Sequence, residues 1–117
     1  MAYTDIDKPS DYFNTLLYTG NGSANHSITG LDFKPDFTWI KKRSTTGTHS
    51  LFDVVRGVEK RIRTDATAAE DTSSNYLSSF NADGFTVNND AGTNQDTITL
   101  ASWNWKAGTS FTNDASA

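Results

Sequence analysis

Residues 30–43, Gly-Leu-Asp-Phe-Lys-Pro-Asp-Phe-Thr-Trp-Ile-Lys-Lys-Arg, place a turn, a proline boundary and an alternating strand side by side. Proline drives its predecessor into extended backbone, so Phe33-Lys34-Pro35-Asp36 reads as a corner. From Phe37 the period is two. Phe37, Trp39 and Lys41 fall on one face, and Thr38, Ile40 and Lys42 on the other. Aromatic and β-branched residues on both faces predict a strand covered on two sides, with Trp39 in the core. The trio Lys41, Lys42 and Arg43 then marks the exit to solvent and is a candidate for contact with a partner.

The rest of the chain fits the same architecture. Hydrophobic residues are 35% and charged residues 21%, and the polar excess is Thr, Ser, Asn, Asp and Gly rather than Lys and Glu. That bias disfavours helix and favours strands joined by turns. Aromatics at 12% supply enough large apolar surface for one core, so the low apolar fraction does not mean disorder. A length of 117 residues implies one domain. Cysteine is absent, which excludes disulfides, thiolate chemistry and Cys-based zinc sites. No apolar run approaches the ~18 residues of a membrane span. The first ten residues have no basic stretch followed by an apolar one, so no signal peptide is expected.

Strands are expected at residues 12–19, 26–29, 37–42, 49–55, 58–63, 76–80, 84–87 and 96–105, the last being the longest. Gly20-Asn21-Gly22-Ser23 and Asn81-Ala82-Asp83-Gly84 are the clearest turns between them. Residues 67–75 read as a loop or one helical turn, and residues 88–95 as a loop tip. Residues 1–11 form an extended N-terminal arm, residues 12–108 the domain, and residues 109–117 a polar linker or tail in which Phe111 is out of place. Short strands at regular spacing predict an all-β, antiparallel β-sandwich, jelly-roll-like.

The net charge of −4 hides an asymmetry. Residues 34–63 hold eight of the ten Lys and Arg, whereas residues 64–117 hold seven acids against Lys106 alone. Arg56, Arg61 and Arg63 join Lys41, Lys42 and Arg43 as candidate partner contacts, on the idea that they pair with acids of a neighbouring copy. An acidic pI and the lack of a reader motif argue against nucleic acid.

Signals of chemistry are weak. His26 and His49 each sit beside a serine, without a visible acid partner. Residues 88–96 carry oxygen ligands of the kind calcium prefers but lack the order of an EF-hand loop. Asp65, Glu70 and Asp71 could be paired acids of a glycoside hydrolase, yet lie in the most polar segment, where solvated acids are normal. Trp103 and Trp105 share a face and could stack on a sugar ring, but a buried final strand would turn both inward. No cofactor and no reaction are implied, so the chain is read as a binding protein and not an enzyme.

The motifs resemble a domain of tailed bacteriophages. The matching blocks are residues 8–15 (Lys-Pro-Ser-Asp-Tyr-Phe-Asn-Thr), 18–22, 30–43, 53–57 (Asp-Val-Val-Arg-Gly), 79–87 and 101–108 (Ala-Ser-Trp-Asn-Trp-Lys-Ala-Gly). Similar modules occur in marine and cyanobacterial phage genomes, often as N-terminal or tandem parts of tail-fibre-like virion proteins, and supply no set of functional residues. The resemblance implies a virion structural protein, the N-terminal or anchoring module of a tail fibre or similar appendage, acting in particle assembly and host attachment. Its partners would be other virion proteins of the tail or capsid and further copies of itself, with a trimer expected by analogy to fibres. A carbohydrate-binding module for host surface glycan and a capsid decoration protein are the alternatives. Similar proteins continue into glycine-rich repeats, so the chain is expected to be a fibre fragment or a stand-alone subunit.

Overall fold

The computed structural model describes residues 8–107. A 3-10 turn at Pro9–Asp11 leads into β1 (Phe13–Thr19), β2 (His26–Thr29), β3 (Phe37–Lys42), β4 (His49–Asp53), β5 (Gly57–Arg63), β6 (Asp71–Thr72), β7 (Leu77–Asn81) and β8 (Gly84–Val87). One helical turn, α1 (Ala91–Asn94), precedes β9 (Thr99–Trp105). The strands form two antiparallel sheets, a six-stranded one ordered β1-β9-β3-β4-β5-β6 and a three-stranded one ordered β2-β8-β7. The fold is thus the expected β-sandwich.

Its interior is built from both sheets. Ile40 and Phe52 of the large sheet, with Leu100 of β9, meet Ile28, Leu77, Phe85 and Val87 of the small one. Each such side chain contributes about 1.5–3 kcal/mol on burial. Leu31, Phe33 and Pro35 are also buried, on the connection that carries the chain from β2 across to β3. Lower on the large sheet the inward positions are small and polar. Thr38 Oγ1 donates to Asn104 Oδ1 at 3.0 Å, and Asn104 Nδ2 donates to Ser102 Oγ at 3.0 Å and to Asn14 O at 3.2 Å. Buried polar groups survive there because each has a partner.

Alternation placed the right residues together but on the opposite side from the one expected. In β3 the buried positions are Thr38, Ile40 and Lys42, and in β9 they include Leu100, Ser102 and Asn104. Trp39, Trp103 and Trp105 therefore lie on the outer face rather than in the core. Two other expectations fail locally. The segment read as a loop tip folds inward as α1, with Gly92, Thr93 and Asn94 buried. The final strand starts at Thr99, because Thr97 adopts φ 64° and turns the chain. Helix propensity near residues 66–70 comes to nothing, and the short β6 forms just after it. Of the expected arm, residues 1–7 lie outside the described residues, as do residue 108 and the tail at 109–117 with Phe111.

Asn94 explains the inward fold of its segment. Its Oδ1 accepts from Asn21 N at 3.0 Å and from His26 Nδ1 at 2.8 Å. Its Nδ2 faces Asn21 Oδ1 at 3.0 Å, Ser23 O at 2.8 Å and Asn88 O at 2.8 Å. An amide oxygen only accepts, so His26 carries its hydrogen on Nδ1. The side chain ties the β1–β2 turn, the start of β2 and the exit of β8 to α1. Asn94→Ala would leave several of these groups buried and unpaired. We expect a loss of about 2–4 kcal/mol in unfolding free energy, read from urea midpoints. A loss below about 1 kcal/mol would show that the turn closes without this amide.

Candidate binding face

The outer face of the large sheet follows from the inward face. With Thr38, Ile40 and Lys42 turned in, Phe37, Trp39 and Lys41 must point out, and β9 presents Trp103 and Trp105 by the same rule. The ladder register then sets rings beside rings. Trp105 stands opposite Phe13 on one side and Phe37 on the other, and Trp103 stands opposite Trp39. Ring centroids are 5.0 Å apart for Phe13–Trp105, 4.8 Å for Phe37–Trp105 and 5.4 Å for Trp39–Trp103. Tilted and edge-to-face pairs of this kind contribute about 0.5–1.5 kcal/mol each beyond area burial.

The rings and Leu51 enclose a shallow hollow of ≈ 650 Å³, lined by Phe37, Trp39, Leu51, Thr64 and Trp105. A second hollow of ≈ 440 Å³ adjoins it across Trp105, with Asp36, Asp53, Val54, Val55 and Ala107 on its walls. Val55 is 91% exposed, Phe13 40% and Trp105 37%, so this is an apolar surface open to solvent. The Trp39 indole N–H is buried beside it and has no hydrogen-bond partner among the described residues. The small sheet is different. Ser27 and Thr86 hydroxyls lie 3.3 Å apart, Asn81 Nδ2 donates to Thr86 Oγ1 at 2.8 Å, and Ser79 Oγ donates to Asn81 Oδ1 at 2.8 Å. Its outer side is a polar ladder, and the aromatic surface belongs to the large sheet.

The candidate cations are placed otherwise than as a free patch. Arg56 Nε lies 2.6 Å from Asp53 Oδ2 and its Nη1 3.1 Å from Glu70 Oε2, with Leu51 O and Lys60 O as further acceptors. Arg61 forms a fork with Asp71 at 3.2 and 2.8 Å and stacks 4.5 Å over the Tyr76 ring. Arg63 forks onto Asp65 at 3.3 and 2.9 Å. Thus the acids weighed for hydrolysis and the arginines weighed for partners are held by one another, within one chain. Lys42 is buried, its ammonium on Gln95 Oε1, because strand alternation runs through residue 42 before the chain turns out. Lys41 lies half-buried on the outer face with its Nζ on Lys42 O at 3.1 Å, and Arg43 is exposed.

The histidines are also placed. His26 is taken up by Asn94, and the His49 backbone donates to Asp65 Oδ1 at 3.2 Å. Among the described residues no group of three His, Asp or Glu side chains could hold a metal ion. Tryptophan pairs two residues apart on β9, facing Phe37 and Trp39 on β3, were the visible signal for the aromatic face. Phe13, Leu51 and Thr64 escaped notice because only strand pairing brings them alongside.

Fold and site together define a two-sheet antiparallel β-sandwich with one aromatic outer face. The family described as Domain of unknown function (DUF7483) matches residues 8–116, and the chain belongs to it. No curated protein and no solved structure matches the chain.

The ion pairs give an acid limb to stability. Burial raises the Asp53 carboxyl, but the Arg56 hydrogen bonds and charge outweigh it and hold it below 3.8. The Arg61 fork does the same for Asp71. A depressed carboxyl stabilises the fold above its unfolded value and loses that contribution as pH falls through the folded one. Stability should therefore decline below about pH 4. Arg61→Gln should lower stability at neutral pH and flatten that decline, checked by urea midpoints across the acid range. An unchanged slope would mean that the Arg61–Asp71 pair does not set it.

Proposed function

We propose that the chain is a virion structural module of a tailed phage. It would be the N-terminal or anchoring part of a tail fibre or similar appendage and act in assembly and host attachment. Its mechanism is surface complementarity, with no reaction catalysed. The observation that carries this reading is the aromatic outer face of the large sheet. An exposed apolar patch of this kind, rimmed by Asp36 and Asp53, is a surface for contact. Two of the blocks by which the chain resembles phage structural domains, residues 30–43 and 101–108, supply β3 and β9 and with them four of the rings. The test is localisation. Antibody raised against the chain should label a tail appendage of intact particles in electron micrographs. Labelling spread over the head lattice would favour a decoration protein instead, and particles lacking the chain would sink the proposal.

A second reading is recognition of host surface glycan, favoured by the outward placement of the tryptophans. A pyranose ring packs its C–H face on an indole, and Thr64 sits in the same hollow with a hydroxyl for its rim. Tryptophan fluorescence should then respond to a host-type oligosaccharide, and Trp105→Ala should weaken binding about ten-fold or more with the fold intact. No response across a glycan array from the wild-type chain would remove this reading.

A further inference from the structure

A sheet edge offers unpaired main-chain groups to any other strand, and soluble proteins blunt such edges with charge, proline, bulges or short length. Among the described residues the sandwich has four edges. β6 has two residues and carries the Arg61–Asp71 pair. β2 has four residues. β7 is broken by a register shift between Leu77 and Ser79. β1 is different: seven residues, Phe-Asn-Thr-Leu-Leu-Tyr-Thr, with no charge, no proline and an unshifted ladder to β9.

The phase of that ladder says which groups are free. Lys106 N donates to Tyr12 O at 2.7 Å and Gly20 N to Ile98 O at 2.9 Å, so the even positions of β1 bond to β9. The main-chain groups of Phe13, Thr15, Leu17 and Thr19 therefore face the edge that no strand of the described residues pairs with. One of them, Thr15 N, donates to the neighbouring Asn14 Oδ1 at 3.0 Å rather than to another strand of the described residues. On the outer face this edge shows Phe13 at 40% exposure and Leu17 at 60%.

We propose that β1 pairs antiparallel with β1 of a second copy, about a two-fold axis through Thr15. This register sets Phe13 opposite Leu17 of the other copy, twice, with Thr15 facing its own equivalent on the axis. Apolar stands against apolar, no charges meet, and about six main-chain hydrogen bonds form. The same surface patch serves both copies, as a closed two-fold requires. Each six-stranded sheet continues into the other, and Phe13, which packs on Trp105, joins the two aromatic faces into one. The edge closes as a pair rather than as the threefold that analogy with fibres suggested. The inference is independent of what the aromatic face binds.

The full chain should sediment as a concentration-dependent dimer. Leu17→Lys, at an exposed position, should weaken dimerisation about ten-fold or more without loss of far-ultraviolet dichroism. The chain has no cysteine, so single substitutions give clean thiol probes. Directly opposed residues in an antiparallel pair lie within disulfide reach. Under mild oxidation Thr15→Cys should form a covalent dimer about ten-fold faster than Thr67→Cys, placed on an exposed loop. A wild-type chain that stays monomeric at its solubility limit would overturn the proposal. So would a dimer that survives Leu17→Lys, or equal oxidation rates for the two thiols.

Discussion

The buried amide of Asn94 is the constraint on which the closed end of the sandwich depends. A primary amide taken out of water is costly unless its donors and acceptor are met, and here they are met by groups from three separate segments. Meeting them fixes where β1 stops, where β2 begins and where α1 sits. The surroundings allow little slack. A Cβ on Gly20 would come within 2.1 Å of Gln95 O, so the turn passes the α1 exit at backbone contact. Tyr18 reaches the same place, its hydroxyl donating to Thr93 O at 2.7 Å, and burial pushes the phenol well above its usual range. β1 and β9 are thereby clamped at one end, and their pairing orders the aromatic face at the other.

The two sides of the large sheet divide the work. Inward, small polar side chains bond one another where Thr38, Ser102 and Asn104 meet, and Ile40, Leu100 and Phe52 fill the rest. Outward, rings lean on rings. The small sheet covers the inward side, Phe52 included, and among the described residues no second layer covers the outward one. The rings are therefore left at the surface, braced by strand pairing, in an arrangement suited to contact.

Charge shows how a linear pattern is reinterpreted by folding. Basic residues in the middle and acidic ones after them looked like halves of an interface between copies. In the fold β5 returns beside β4, and β6 beside β5, so Arg56, Arg61 and Arg63 reach Asp53, Glu70, Asp71 and Asp65 within the same chain. Partly exposed pairs of this sort contribute modestly, and their main effect is to spend the charge locally. What stays available for contact is mainly apolar, namely the rings, the valine corner at Val54 and Val55, and the β1 edge, with Arg43 exposed among the candidate cations.

The sequence by itself determined the strands. Alternation at Phe37-Thr38-Trp39-Ile40 and at Trp103-Asn104-Trp105, with glycine and proline punctuation between, placed most elements and the sandwich class, because period and turn chemistry are local properties. It also sorted which residues share a face. It did not decide which face is inside. Ile40 and Trp39 are both good core residues, and only the small sheet and the connection carrying Leu31, Phe33 and Pro35, arriving over one side, made that choice. Nor did it show that residues 90–94 turn inward, since their polar composition reads as loop until Asn21, Ser23, His26 and Asn88 arrive from elsewhere to satisfy Asn94. Local chemistry wrote the elements. Long-range hydrogen bonding and the limited area of the second layer decided what each one buries and what it leaves for a partner.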